Sequence, residues 1–414
     1  MSPGEAARPA ATVVLVGTLD TKGLEYAFLR DRIREAGAEV LLVDAGVLGE
    51  PLVTPDVTRE EVAHAGGAEH AELARAADRG RAMDAMGRGA AAVLGRLRAE
   101  GRLDGVAAVG GSGNSSVAAA AMRDLPVGVP KLIVSTVASG DTRPYMGAKD
   151  VTMMYSVVDI AGINQISARI LANAAGAIAG MAKATPPDEV QERPLVGATM
   201  FGVTTPCITH ARERLEELGY EVLVFHATGT GGQSFEALAE DGFLAGALDA
   251  TTTELADELV GGVLSAGPHR LEAAGRSGIP QVVSLGALDM VNFGPRETVP
   301  PQFAERNLYV HNPTVTLMRT TPEENAELGR RIARKLNAAE SPTVLFIPLK
   351  GVSAIDVEGQ PFHDPAADEA LIGALREDLD RDRVEVHEVD TDVNDPAFAT
   401  AMADRLHELI QEAK

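Results

Sequence analysis

The chain has 414 residues, enough for about two or three domains, and its 45% hydrophobic and 23% charged composition is that of a globular protein rather than a disordered one. Its 37 basic and 60 acidic residues leave a formal charge of −23, which repels phosphate backbones and anionic membranes at long range and excludes both as main partners. A single cysteine, Cys207, rules out an intramolecular disulfide, and every apolar run falls short of the ~18–20 residues of a membrane span, so a cytoplasmic location is expected.

Residues 1–11 read as a disordered Pro/Ala-rich tail without the apolar core of a signal peptide. Thr12–Val16 is then an apolar strand, Gly17–Gly23 a polar turn, and Leu24–Ala36 a helix with Leu24, Phe28, Leu29 and Ile33 on one face. Gly37 stops that helix, and Val40–Val43 is a second strand closed by Asp44. This is a βαβ unit, and it recurs. Leu195–Thr199 is a strand, Phe201–Pro206 a turn, Ile208–Leu218 a helix, and Gly219 precedes Val222–Phe225 and His226. Aligning Gly37 with Gly219 sets Val40–Val43 on Val222–Phe225 without a gap, and Gly128-Val129-Pro130 echoes Gly278-Ile279-Pro280 before a further strand in each half.

A small-residue helix over about Ile160–Met181 ends the first half, and the seam falls near Lys183–Pro194. After Ser341 come strand Val344–Pro348, helix Ala366–Leu379, strand Val384–Val389 and a last helix to about Glu412, extending the second sheet. The expected fold is α/β: two Rossmann-like parallel-sheet lobes related by duplication, residues 12–185 and 195–414, with a cleft between them.

In open parallel sheets ligands bind beyond the carboxyl ends of the strands, where loops enter helix N-termini. The first lobe places three unusual segments there. Gly17, Thr18, Asp20, Thr21 and Lys22 offer backbone N–H groups, hydroxyls, a carboxylate and a cation, the groups a metal-bridged polyphosphate needs. Gly110, Gly111, Ser112, Gly113, Asn114 and Ser115 allow close backbone approach to an anion. Ser135, Thr136, Ser139, Gly140, Asp141 and Thr142 add hydroxyls and a second carboxylate. Asp44 could accept from a ribose, at a spacing slightly beyond the usual one. Together they point to a nucleotide-like ligand.

The second lobe carries Thr228–Ser234, another glycine loop, then Thr251–Glu254, and Asp289–Gly294, His311-Asn312-Pro313 and Arg319, all expected in connecting segments. Lys350–Ser353 follows a late strand. His226, Asp289, His311 and Lys350 are the candidates for acid–base work on a small-molecule substrate. Zinc spacings and a Gly-x-Ser-x-Gly elbow are absent from the sequence, and Cys207 is expected to pack.

Gly17–Lys22, Gly110–Ser115, Ser135–Tyr145, Asp159–Asn164, Val224–Gly232, Gly286–Gly294, His311-Asn312-Pro313 and Ile347–Ser353 resemble the Tm-one-like ATP-binding family along nearly the whole chain. The resemblance implies ATP binding in the N-terminal domain at Gly17–Lys22, Gly110–Ser115 and Ser135–Thr142, with magnesium, in a homodimer. Three functions fit these residues: an enzyme binding Mg-ATP in the first lobe, with Asp20 or Asp141 holding the Mg2+, and a metabolite in the cleft; a nucleotide-responsive binding module without turnover; or an ATP-independent hydrolase or lyase acting on a small acyl or carboxylate substrate.

Overall fold

The computed structural model describes residues 10–185 and 193–413. The seam expected at Lys183–Pro194 falls largely on residues outside this range, as do residues 1–9 of the expected tail. Ala11 belongs to the fold, because its carbonyl accepts from Glu39 N. Contacts divide the chain into two compact units on either side of residues 186–192.

The first unit runs β1 (Thr12–Gly17), α1 (Leu19–Glu35), β2 (Glu39–Asp44), α2 (Arg59–Ala65), α3 (His70–Ala76), α4 (Arg79–Ala99), β3 (Gly105–Gly110), α5 (Ser112–Met122), β4 (Lys131–Ser135), α6 (Arg143–Met146), β5 (Val151–Tyr155) and α7 (Gln165–Lys183). All its strands are parallel, in the order β2-β1-β3-β4-β5. Alternation along each strand sends Val13, Leu15 and Val109 to the face covered by α1 and α7, and Val14, Val16 and Ala108 to the face covered by α2, α4 and α5.

Helix α1 begins earlier than its periodicity suggests. Most of the expected Gly17–Gly23 turn is therefore its first turn and a half, with Lys22 out of helical geometry at φ −124°. The buried face is consequently Leu19, Tyr26, Leu29 and Ile33, and Leu24 is turned to solvent at 59% exposure. The expected Gly110–Ser115 loop likewise collapses to Gly111, because Ser112 already opens α5.

The second unit runs β6 (Leu195–Met200), α8 (Thr205–Glu217), β7 (Glu221–His226), α9 (Thr230–Glu240), β8 (Leu244–Thr251), α10 (Glu254–Val260), α11 (Ala273–Arg276), β9 (Gln281–Gly286), β10 (Met290–Phe293), β11 (Leu308–Asn312), β12 (Val315–Arg319), α12 (Pro322–Asn337), β13 (Thr343–Pro348), α13 (Pro365–Asp378), β14 (Val384–Val389) and α14 (Pro396–Glu412). Its main sheet, β14-β13-β9-β8-β6-β7, is parallel and repeats the strand order of the first unit with β14 added at the edge. Helices α8 and α14 cover one face, and α9 to α13 cover the other.

The sequence echoes have structural counterparts. Gly37 and Gly219 both take positive φ, 81° and 94°, after the first helix of their units, and Gly128 and Gly278 do so, at 90° and 72°, before β4 and β9. One departure is the small antiparallel sheet β10-β12-β11. It takes up Met290–Phe293, His311 and Arg319, which were expected in connecting segments.

Because Gly37 and Gly219 hold the same left-handed turn, Gly37→Ala and Gly219→Ala are each expected to lower stability by about 1–2 kcal/mol. Thermal and urea melts of the two variants check this, and a neutral result at either position would contradict the shared geometry.

Candidate functional site

Strands β1 and β3 are neighbours in the first sheet, and the helices that follow them leave toward opposite faces. A crevice must open at this switch in winding. It is a pocket of about 590 Å3. Its polar lining comes from Thr18, Asp20, Thr21 and Lys22 of β1–α1, Gly111, Ser112, Gly113 and Asn114 of β3–α5, and Asp78 and Arg79 at the start of α4. Its apolar lining includes Val47, Leu48, Leu73, Met83, Met86 and Val117.

The first N–H groups of α5 have no intrahelical acceptor, and the helix dipole adds partial positive charge beside Gly111–Gly113. Arg79 stands against them: a methyl group on Gly113 would lie 2.8 Å from its Nη2. Its guanidinium has no hydrogen-bond or ion-pair partner among the described residues. Ala77 in a left-handed conformation (φ 51°) and Asp78, whose side chain caps α4 by accepting from Arg81 N at 3.0 Å, turn Arg79 toward this place. Sequence reasoning missed Arg79. Its only signal was an Asp-Arg-Gly turn ahead of a long helix.

Several expected ligand residues serve the fold instead. The Tyr26 hydroxyl donates to Val16 O at 2.6 Å and accepts from Val109 N and Asn114 Nδ2, each at 2.9 Å, so it ties β1, β3 and α5 together. Any side chain on Gly17 would strike that ring, and one on Gly110 would strike Asn114. Ser115 Oγ and Ser135 Oγ bond each other at 2.7 Å in the core. Thr136 stays close, its Oγ1 3.7 Å from where a methyl on Gly111 would sit. Ser139, Gly140, Asp141 and Thr142 do not line the pocket. Asp141 is engaged through both oxygens by Arg143, which holds its carboxyl down at about 2. That engagement disfavours it as the metal ligand.

Lys22 lines the pocket and donates its ammonium to Ile160 O. Asp44 is fully buried, outside the pocket lining, and accepts from Leu19 N and Gly46 N. A ribose would not reach it in this arrangement. Burial raises its carboxyl, backbone hydrogen bonds oppose this, and neighbouring Asp20 adds to the rise.

The corresponding crevice of the second unit, beyond β6 and β8, is filled by the chain itself. Arg270, completely buried, donates from Nε to Glu254 at 2.7 Å, from Nη2 to Asp249 at 2.6 Å and from Nη1 to Glu236 at 3.1 Å. Thr199 joins in, donating to Asp249 at 2.7 Å. Glu254 Oε1 accepts from Gly229 N at 2.7 Å and Gly232 N at 3.0 Å, where a bound anion would meet the start of α9. The glycine loop Thr228–Ser234 therefore wraps an internal carboxylate rather than a ligand. Gly232 is glycine because Glu254 lies against it.

The four acid–base candidates share no described pocket. His226 and His311 are exposed, packed beside Phe201 and Tyr309. Lys350 is exposed and pairs with Asp390 at 2.9 Å. Asp289 is fully buried and accepts from Ser353 Oγ at 2.8 Å. It belongs to a cluster in which Arg319 binds Asp356 at 3.0 Å and Asp368 at 2.7 Å. Burial pushes Asp289 up to about 6 against the pull of Arg319. Burial and the neighbouring carboxylates push Asp356 to about 9. Asp257, which accepts from Asn292 N and Nδ2, is raised to about 7 by burial. Cys207 is buried, and burial pushes its thiol to about 12.

These raised carboxyls stay protonated in the native unit at pH values where the unfolded chain, with carboxyl pKa values near ~4, has released its protons. Their contribution is complete below about pH 4 and is lost as pH rises through 6, 7 and 9. The urea midpoint of the second unit is thus expected to fall between about pH 5.5 and about pH 9, and Asp257→Asn to make that fall shallower. A flat or rising wild-type profile would contradict the assignment.

Among the described residues no helix is long and apolar enough to cross a membrane. Residues 11–187 match the N-terminal domain, and residues 193–410 the C-terminal domain, of the uncharacterised protein family UPF0261. The chain is 55% identical over 400 residues to a UPF0261 protein of Clostridium tetani, covering 97% of this chain and 99% of that one. It is 49% identical over 392 residues to a UPF0261 protein of Rhizobium meliloti, covering 94% and 96%. It is 40% identical over 425 residues to the tomato (Solanum lycopersicum) ToMV resistance protein Tm-1(GCR237), covering 97% of this chain but 56% of the tomato protein. The two domain matches together span almost the entire sequence, and the chain belongs to the UPF0261 family.

Proposed function

We propose that the first unit binds a nucleoside polyphosphate, ATP by the family resemblance, in the crevice beyond β1 and β3. The observation that carries this reading is the guanidinium of Arg79, without a partner among the described residues, beside the glycine-opened N-terminus of α5. A cation, free N–H groups and a helix dipole aimed at one place make an anion site, and charge-assisted bonds there are the stronger kind. The hydroxyls of Thr18, Thr21 and Ser112 add donors around the same opening. The apolar lining from Leu48, Met83 and Met86 suits a flat base, and Leu48 is left 81% exposed beside it. A volume of about 590 Å3 falls within the usual range for small-molecule sites. Mg2+ is the expected counter-ion of the phosphates.

Lys22 is the second cation of this site, and its ammonium would exchange the Ile160 carbonyl for a phosphate oxygen. The second unit is assigned no ligand, since its crevice is held by Arg270 and Glu254. The bound chain therefore carries one nucleotide.

Calorimetric titration with Mg-ATP tests the reading. One site per chain is expected, and Arg79→Ala is expected to weaken binding about tenfold or more, the range for one lost charge-assisted hydrogen bond. Lys22→Ala is expected to weaken it in the same direction, with the far-ultraviolet circular dichroism of both variants unchanged. Equal affinity in wild type and Arg79→Ala would refute the site.

A further inference from the structure

We propose that Asp20 and Asp44 together form a divalent-cation site at the ends of β1 and β2, one that takes a hard ion such as Mg2+ or Mn2+. The two strands are paired in register, with Gly17 opposite Asp44, so the carboxylate after β1 and the carboxylate closing β2 are brought to the same edge of the crevice. Each is anchored by one oxygen only. Asp20 Oδ2 accepts from Leu48 N at 3.0 Å and Gly49 N at 3.1 Å. Asp44 Oδ1 accepts from Leu19 N at 3.1 Å and Gly46 N at 2.9 Å. The other oxygens, Asp20 Oδ1 and Asp44 Oδ2, are buried and have no partner among the described residues, and Asp44 as a residue is wholly buried.

Gly46 shows how close the two groups lie. A methyl there would be 2.7 Å from Asp20 Oδ1 and 3.0 Å from Asp44 Oδ1. Among the described residues no Lys, Arg or His pairs with either carboxylate. Arg59, the cation acting on Asp44 from a distance, is committed to Glu50, Glu60 and the Gly49 carbonyl. Lys22 is committed to Ile160 O. Two neighbouring carboxylates, one wholly buried and one half-buried, whose orphaned oxygens are both shut off from solvent are unfavourable unless a proton or a cation lies between them.

Two carboxylates are fewer than a cage that binds an ion unaided, and the described residues contain no group of three acidic, His or Cys side chains placed around an ion. That donor set suits Mg2+, which keeps several waters and takes phosphate oxygens at its remaining positions. Asp20 lines the nucleotide pocket and Asp44 does not, so the ion would be open on the pocket side alone. The inference rests on the nucleotide reading only for these outer ligands. It also gives the loop from Ala45 to Gly49 a role, because the same Asp20 that would hold the ion fixes that loop through two backbone N–H groups.

The test is a Mn2+ titration of the nucleotide-free chain followed by paramagnetic resonance of the free ion, repeated with ATP, together with thermal melts. Asp20→Asn and Asp44→Asn are expected to weaken Mn2+ binding at least tenfold, and Asp31→Asn, on the exposed side of α1, to leave it unchanged. Asp44→Asn carries a second signature: removing the repulsion raises the metal-free melting temperature while abolishing the rise that Mn2+ produces in wild type. A carboxylate with a merely structural role would lower it. Wild-type Mn2+ affinity in both Asn variants would overturn the proposal, as would failure of the wild type to retain Mn2+ with or without ATP. Should Asp44→Asn not fold, the half-exposed Asp20→Asn decides alone. ATP titration in excess chelator separates the two readings: ATP binding without any Asp20- or Asp44-dependent Mn2+ site leaves only the nucleotide pocket, and the converse leaves only the cation site.

Discussion

The constraint on which the first unit depends is that the helices after β1 and β3 must leave their sheet on opposite faces. Adjacent parallel strands normally feed helices that pack side by side and close over the strand ends. Where the winding changes direction they cannot, and a crevice is left lined by two helix N-termini. Everything distinctive about the site follows from this. Gly111 is the whole of the β3–α5 connection, so the free N–H groups of α5 face the opening directly. Tyr26 pins the two sides by bonding β1, β3 and α5 at once.

The second unit faces the same constraint, since its strands follow the same order, and it meets it differently. Its crevice is closed by Arg270 with Asp249, Glu254 and Glu236, one guanidinium against three carboxylates, and by threonines from β6 and β8. Burying these charges is worthwhile only because each is paired and hydrogen-bonded, and removing one partner of such a network typically costs about 3–5 kcal/mol. The two crevices therefore differ in physical character. One presents unpaired donors and orphaned acceptors to a pocket; the other is saturated from within.

Much of the fold was legible in the sequence because it is written in short-range patterns. Apolar runs of four to six residues bounded by glycine mark the parallel strands, and the Gly37–Gly219 and Gly128–Gly278 echoes mark the repeated units. The small sheet β10-β12-β11 was not legible, since Met290–Phe293 and Val315–Arg319 are brief, and what makes them strands is their pairing with each other. In the site, Thr18, Asp20, Thr21, Lys22 and Gly111–Asn114 were found from residue type and position after a strand. Arg79 was not, because nothing near it in the chain shows that α4 returns its N-terminus to α5.

Taken alone, the sequence determined that this is a two-unit α/β chain with parallel sheets, since burial of alternating and continuous apolar runs is a local property that the residues carry with them. It determined equally that polar, glycine-rich segments stand at the strand ends. Only the tertiary structure decided which of those segments line an open pocket and which are closed by the protein's own side chains. Gly17, Ser115 and Gly232 have the composition of ligand loops, yet their neighbours are Tyr26, Ser135 and Glu254, residues of other elements of the chain. A free donor and a satisfied one are the same residue type. What distinguishes them is the partner that folding brings within three ångströms, and that is a property of the packed chain.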